Sequence, residues 1–289
     1  MTQELAKRKA AGINEKPGKR KQGKKSLTLA ERADRHSLYE QSVQCVEAEI
    51  DFIDDTFKAL RGRPAEVLRE DFCGTANTAC EWVRRRRRNK AIGVDLDESV
   101  LAWGRANNIA RLGKAANRIT LVAEDVIKVA TLPPDVVIAM NFSYFILKKR
   151  QQMRRYFKRV HQALNSDGLF ILDAFGGYDS FCVTKDKTKI EGFTYIWDQA
   201  YYNPITGDMR CHIHFKFPDG SRIKNAFTYD WRLWTLPEIQ EILAEAGFDR
   251  ITVYWQGTDE ETGEANGEFE PASVGDADAA WIVYIVAQK

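Results

Sequence analysis

Glu66-Val-Leu-Arg-Glu-Asp-Phe-Cys-Gly-Thr-Ala-Asn-Thr78 is the stretch whose reading decides the fold. Val67 and Leu68 read as the end of a buried strand, and Phe72 to Ala76 as a turn of mostly small residues. From Asn77 the pattern is helical, with Ala79, Trp82 and Val83 spaced to share one face. Strand, tight turn and helix in that order begin a βαβ unit. In an open parallel sheet, ligands bind at the carboxyl ends of the strands, where such turns lie.

Outward from that unit, the chain repeats the theme. Ala91 to Asp95 predicts a second strand that ends in an acid 21 residues after Gly74. An acid at about that distance commonly accepts hydrogen bonds from ribose hydroxyls. Ile119 to Val126, Asp135 to Asn141 and Leu169 to Asp173 predict the third, fourth and fifth strands. Each ends in polar residues, so one edge of one sheet carries a polar rim.

With these residues in view, the chain resembles the class I S-adenosylmethionine-dependent methyltransferases over roughly residues 34 to 289. Leu68 to Ala76 is similar to their first motif, an acid followed by a glycine turn; Phe72 and Ala76 stand where the first and third glycines usually are. The resemblance puts Glu70 near the methionine end of the cofactor, and Phe72, Gly74 and Thr75 in the turn beneath it. It makes Asp95 the ribose acid and Leu96 an adenine contact. Glu124-Asp125-Val126 resembles the motif that holds the adenine, and Asn141-Phe142 sits where the fourth motif lies, below the reacting methyl. The resemblance also makes His36 and Tyr39 lid contacts over the cofactor; the competing reading leaves Tyr39 in the core and His36 on the surface. Phe142, Tyr144, Asp173 and Tyr178 lie near the strand ends where an acceptor would sit, and no residue is singled out as a catalytic base.

The chain has 289 residues, 44% of them hydrophobic, enough for one large domain. No apolar run approaches the ~20 residues that span a bilayer, and the charged N-terminus lacks a secretory signal. A cytoplasmic location and no membrane partner are expected. The five cysteines are scattered without zinc-ligand spacing, so no metal is expected. Residues 1–30 carry nine Lys and Arg against two Glu on a chain whose total is +2, so the remainder is net acidic. Residues 1–28 are expected to be a disordered basic tail, either a solvated tail or an arm for nucleic acid. The five arginines Arg84 to Arg88 read as a solvated helix end or a nucleic-acid patch.

Before the first strand, Tyr39, Val43, Val46, Ile50, Ile53, Phe57 and Leu60 form one apolar helical stripe, in one helix or two. After the fifth strand the βαβ alternation stops. Phe193 to Tyr202, Met209 to Phe217 and Arg222 to Trp234 predict an antiparallel meander, with His212 and His214 on its solvent face. Thr235 and Glu238 form a capping box for a helix that stops at Gly247. Ile251 to Trp255 and Trp281 to Ala287 predict the last two strands, with an acidic loop between them.

The expected architecture is α/β: a three-layer Rossmann-like methyltransferase fold with a mostly parallel seven-stranded sheet. The methyltransferase domain spans 29–289 and carries an antiparallel lid inserted over 178–234. The expected activity is methyl transfer from S-adenosylmethionine to a small-molecule acceptor, an amine by preference, by a monomer or homodimer. Two other readings stay open: a nucleic-acid or protein methyltransferase using the basic tail, and a nicotinamide-dependent oxidoreductase, since an acid after the second strand also suits NAD.

Overall fold

The computed structural model describes residues 26–259 and 265–289. Most of the expected basic tail therefore lies outside the described residues. Thr28 is already structured: its hydroxyl caps α1 (Leu29–Arg32) in a capping box with Glu31. The long apolar stripe folds as two helices, α2 (Arg35–Val43) and α3 (Val46–Arg61). Asp34 caps the first by accepting from the His36 and Ser37 backbone, and Gly62 ends the second in a left-handed conformation.

The βαβ pattern then runs β1 (Val67–Asp71), α4 (Asn77–Arg85), β2 (Lys90–Asp95), α5 (Glu98–Asn107), β3 (Ile119–Ala123), β4 (Val136–Ala139), α6 (Arg150–Ala163) and β5 (Leu169–Gly176). Four antiparallel strands follow: β6 (Thr184–Ile190), β7 (Phe193–Tyr202), β8 (Asp208–Lys216) and β9 (Arg222–Arg232). The chain closes with α7 (Leu236–Ala246), β10 (Arg250–Thr258), β11 (Ala265–Ala272) and β12 (Trp281–Gln288). Among the described residues no helix is long and apolar enough to cross a membrane.

The main sheet has the order β11-β10-β12-β5-β4-β1-β2-β3. β1 to β5 are parallel, and β12 is antiparallel to both β5 and β10. Strand alternation divides the core into two layers. On β4, Val136 and Ile138 pack with Ile53, Phe57 and Trp82 of α3 and α4, while Val137 and Ala139 pack with Tyr156, Phe157 and Ile242 of α6 and α7. The chain winds outward from β1 to β3 and then returns to β4 on the other side of β1. That reversal opens a crevice at the carboxyl ends of β1 and β4.

The sheet has eight strands rather than the seven expected. The extra one, β11, comes from the acidic segment read as a loop. An edge strand needs only one anchored face, so its sequence can be polar and can hold a proline such as Pro271. Here Phe269 is the anchor, stacked on Tyr284 with ring centroids 4.1 Å apart. The second sheet also gains a strand: β6, Thr-Lys-Asp-Lys-Thr-Lys-Ile, is an edge whose charge disguised it.

The arginine run is largely spoken for. Arg85 bonds Glu81 at 2.6 Å and pairs with Asp51 at 3.0 Å. Arg86 grips Asp54 through two bonds of 2.7 and 2.6 Å and lies over the Trp82 ring. These contacts tie the end of α4 to α3. His214 of the second sheet meets Asp198 at 3.0 Å and accepts the Asn225 backbone N–H.

Candidate active site

The turn after β1 is built by backbone geometry. Phe72, Gly74 and Ala76 all adopt left-handed φ values of 58°, 52° and 58°. Non-glycine residues rarely do so, and such strain gathers at functional sites. The Phe72 ring is drawn into the core against Tyr156, at 5.7 Å between centroids. This explains how a phenylalanine occupies a position where a glycine was expected. A Cβ on Gly74 would meet nothing within 4 Å, so the turn faces open space on that side. Asp95 at the end of β2 fixes the turn: its Oδ2 accepts the Gly74 N–H at 2.9 Å and its Oδ1 accepts the Asp97 N–H at 2.9 Å. A carboxylate has about four acceptor sites, so two are left for a ligand.

This turn borders a cavity of about 290 Å³. Its floor includes Glu70, Asp71 and Asn141, and its roof is α2, which contributes Arg35, His36 and Tyr39. The roof is tied to the main domain, where Glu40 accepts from the Thr75 hydroxyl at 2.5 Å and Asp34 accepts from the Trp103 indole at 3.0 Å. It is tied equally to the second sheet, where the Phe227 ring packs against His36 and Tyr39. Burial holds the His36 imidazole below its usual pKa, with neighbouring Arg35 adding to the effect.

The acids beneath this cavity differ in their partners. Asp71 is held by Arg69 through bonds of 2.7 and 2.8 Å and by the Tyr156 hydroxyl at 2.9 Å. Glu70 has no such cation; burial, and then the Glu49 charge, push its carboxyl up to about 8. Asp173 is likewise pushed up by burial, to about 7. It does not line either cavity, contrary to the expectation of a substrate contact. Instead it braces the turn after β4, accepting the Asn141 N–H at 2.7 Å and the Phe142 N–H at 2.9 Å. Both turn residues are left-handed, with φ of 57°, so the brace holds a strained segment in place.

A second cavity of about 480 Å³ lies between the main sheet and the second one. It shares Tyr39, Asn141 and Tyr229 with the first. Its walls are aromatic: Phe142 and Phe175 from the β4 and β5 ends, Trp197 from β7, Tyr229 and Trp231 from β9, and Trp281 from β12. Trp281 covers Gly176 so closely that a Cβ there would lie 2.1 Å from the indole. Among the described residues, the charged side chains that line this cavity are Asp179 and Asp186, both acids.

The expected site residues therefore divide. Tyr39, Glu70, Phe72, Gly74, Thr75, Asp95 and Asn141 border the first cavity, and Phe142 borders the second. Leu96, Asp125 and Val126 border neither. Leu96 is 74% exposed, Val126 is packed into the core, and Asp125 closes a turn by accepting the Ile127 N–H. Tyr144 is fully buried and donates its hydroxyl to the Asp173 carbonyl at 2.7 Å, because a 3-10 turn over Ser143–Ile146 swings it back into the core. Tyr178 is 63% exposed at the start of another such turn, and its successors Asp179 and Ser180 reach the cavity instead. The aromatic walls from β7 and β9 went unrecognised. The one signal for them is the alternation of Tyr195 with Trp197 and of Tyr229 with Trp231, which places each pair on one face.

Comparisons with known proteins bear on the domain and the fold. Residues 73–170 match a family model described as a methyltransferase domain. No curated protein matches by sequence. Among solved structures, an S-adenosylmethionine-dependent methyltransferase from Clostridium acetobutylicum superposes with a TM-score of 0.63 at 15% identity, covering 87% of this chain and 96% of its own. The amino pentose methyltransferase CalS10 from Micromonospora echinaspora, solved with S-adenosylmethionine bound, gives 0.62 at 16% identity, covering 88% and 96%. The sugar N-methyltransferase KedS8 from a Streptoalloteichus species gives 0.57 at 16% identity, covering 96% and 98%. The open face of the Gly74 turn, the spare acceptor sites of Asp95 and the uncompensated carboxyl of Glu70 all fit a ligand with a ribose and a cationic end. Over residues 73–170 the chain carries a methyltransferase domain, and its fold is that of the S-adenosylmethionine-dependent methyltransferases it superposes on.

Proposed function

We propose that this enzyme transfers the methyl group of S-adenosylmethionine to the nitrogen of a small-molecule amine. The observation that carries the reading is the aromatic cavity joined to the cofactor cavity at Tyr39, Asn141 and Tyr229, with Asp179 and Asp186 at its margin. Aromatic faces and carboxylates both attract an ammonium group, and both repel a phosphate. Once inside, an amine surrounded by rings is desolvated, which lowers its pKa and frees the lone pair that must attack. The amino pentose and sugar N-methyltransferases among the structural neighbours support the same acceptor class.

In this reading Asp95 holds the ribose, Glu70 faces the cationic methionine end, and Asn141 lies at the junction where cofactor and acceptor meet. The cofactor supplies an activated methyl on a sulfonium. The chain's own residues orient the acceptor, exclude water and hold the two ligands in line, which can carry much of the rate. The half-buried Tyr39 and Tyr229 bond each other at the junction, and desolvation raises both above the ordinary phenol pKa, so they stay protonated and act as neutral walls.

The test is a panel of acceptors incubated with enzyme and S-adenosylmethionine, with S-adenosylhomocysteine quantified by mass spectrometry. Turnover is expected with amine-bearing acceptors and not with their hydroxyl-only or phosphorylated counterparts. Turnover confined to phosphorylated acceptors or nucleic acid would overturn the amine assignment.

A further inference from the structure

Gln199 takes no part in the site described so far. It follows Tyr195 and Trp197 at alternate positions of β7, and all three line the aromatic cavity. Alternate residues of a strand share a face, so the Gln199 side chain points the same way as those rings. The residue is 6% exposed, and both of its amide hydrogens are committed. Nε2 donates to the Asp179 carbonyl at 3.0 Å and to the Cys182 carbonyl at 3.1 Å, which ties β7 to the 3-10 turn Tyr178–Phe181. Turning the amide over would set its oxygen against two carbonyl oxygens, so its orientation is fixed. Oε1 is left without a hydrogen-bond partner among the described residues, and it is not sealed in the core. It opens on the cavity. Ser180, which also lines the cavity, is committed in the same way: its hydroxyl donates to the Gly177 carbonyl at 2.6 Å. With the Asp179 carboxylate, these groups make one side of the cavity a set of hydrogen-bond acceptors.

We propose that Gln199 is a specificity-determining residue whose Oε1 accepts a hydrogen bond from a hydroxyl or N–H of the methyl acceptor, at a position other than the reacting nitrogen. This rests on the amine methyltransferase reading and adds to it a second group that the acceptor must carry. The position follows from the cavities: Gln199 lines the aromatic one and does not border the cofactor cavity, whereas the methyl is delivered where the two meet. An oxygen held among rings gains little from water once an acceptor fills the cavity. An acceptor that brings a donor to it satisfies it, and one that brings a methylene leaves it desolvated and unpaired. Sites built to meet a substrate donor discriminate against the analogue lacking it more strongly than purely apolar sites do. The β-bulge that shifts the β7–β8 register between Gln199 and Tyr201 belongs to the same device, since a bulge re-aims the side chains beside it.

The experiment gives the full chain S-adenosylmethionine and four probe amines: cyclohexylamine and the trans-2-, trans-3- and trans-4-aminocyclohexanols. The three alcohols carry one donor at graded distances from the nitrogen. Formation of S-adenosylhomocysteine gives kcat/KM for each. In the wild type the best aminocyclohexanol should exceed cyclohexylamine by about tenfold or more, a comparison that needs no variant. Gln199→Met keeps the length of the side chain and removes the carbonyl oxygen. It should bring that preference below about threefold, mainly through the KM of the alcohol. If Gln199 were only a strut between β7 and the turn, the variant would lower all four amines alike and keep the preference, which would overturn the proposal. A wild type that methylates cyclohexylamine as well as every aminocyclohexanol would overturn it too, and would leave the amine reading standing. A wild type that methylates none of the four would overturn the proposal and count against the amine reading itself, so the two failures are told apart.

Discussion

The two cavities that meet at Tyr39, Asn141 and Tyr229 are made of different materials. The cavity proposed for the cofactor is bounded by main chain: left-handed turns after β1 and β4, each held by a carboxylate that accepts backbone N–H groups. The cavity proposed for the acceptor is bounded by rings borne on strands of two sheets. The first is held by directional hydrogen bonds that reach across from neighbouring strands. The second is shaped by packing, so its walls can change without disturbing the frame beneath. One frame can thus keep its cofactor while the acceptor changes.

The sharpest way to break the comparison is at Asp95. Its carboxylate braces the Gly74 turn and has acceptor sites to spare. Charge-assisted hydrogen bonds of this kind contribute about 1.5–3 kcal/mol each. Asp95→Ala should therefore weaken S-adenosylmethionine binding about ten- to several-hundredfold, measured by calorimetry. Unchanged affinity would remove Asp95 from the site and blur the distinction between the two cavities.

The second test works on the other side. Trp197 lines the acceptor cavity and lies 6.1 Å from the Trp231 ring, and it does not border the cofactor cavity. Trp197→Ala should raise the acceptor KM about tenfold and leave the cofactor dissociation constant within error. Parallel losses in both would mean that the cavities act as one.

The same contrast explains what could be read from sequence. The glycine turn, the acid 21 residues beyond it and the order of strands are consequences of backbone constraints, and constrained backbone leaves fixed residue types at fixed spacing. The gathering of Glu70, Gly74, Asp95 and Asn141 at the strand ends around one cavity was legible for that reason. Trp197, Trp231 and Trp281 were not, because an aromatic on a strand looks the same whether it fills a core or walls a cavity. Tyr144 and Tyr178 misled for a related reason: short 3-10 turns rotate side chains by amounts that no periodicity records. Edge strands β6 and β11 were missed because an edge tolerates charge that a central strand excludes.

A third prediction uses three buried carboxyls, of which Glu70 borders the first cavity. Glu49, Glu70 and Asp173 sit at about 7, 8 and 7, above the ordinary values of 4.5 and 3.8. Between those limits the folded state holds protons that the unfolded state has lost. Their contribution is thus fully favourable below about pH 4 and is lost as pH rises toward about 8. Asp34, Asp135 and Asp198 are shifted downward and titrate below this window. The free enzyme should melt about 3–6 °C lower at pH 8.5 than at pH 6, and saturating S-adenosylmethionine should shrink the gap. A melting temperature that rises from pH 6 to 8.5 would show that these carboxyls are ionised without the cofactor.

The smallest expected effect lies at the mouth of the acceptor cavity. Glu260, Glu261 and Glu264 of the acidic segment lie outside the described residues. Asp276 and Asp278 are exposed on the stretch between β11 and β12. This stretch runs against the acceptor side: the Asp278 carbonyl accepts the Tyr178 N–H at 3.3 Å, and Ala280 lines the cavity. β10 runs parallel to the first five strands, so its carboxyl end also opens here, and Gln256 reaches the cavity wall. Asp179 and Asp186 lie on the same side, so the approach carries negative charge from two sheets. Such a field concentrates cations and repels phosphates, but it acts through solvent and is screened over about 10 Å at 0.1 M salt. Neutralising Asp276 and Asp278 to Asn should raise the KM for a cationic acceptor only about two- to fivefold at low salt, with kcat unchanged, and the effect should vanish by about 0.5 M salt. A salt-independent rise would point to direct contact between these aspartates and the acceptor. No rise at all would place steering in Asp179 and Asp186 alone, leaving the rings as the main source of selectivity for amines.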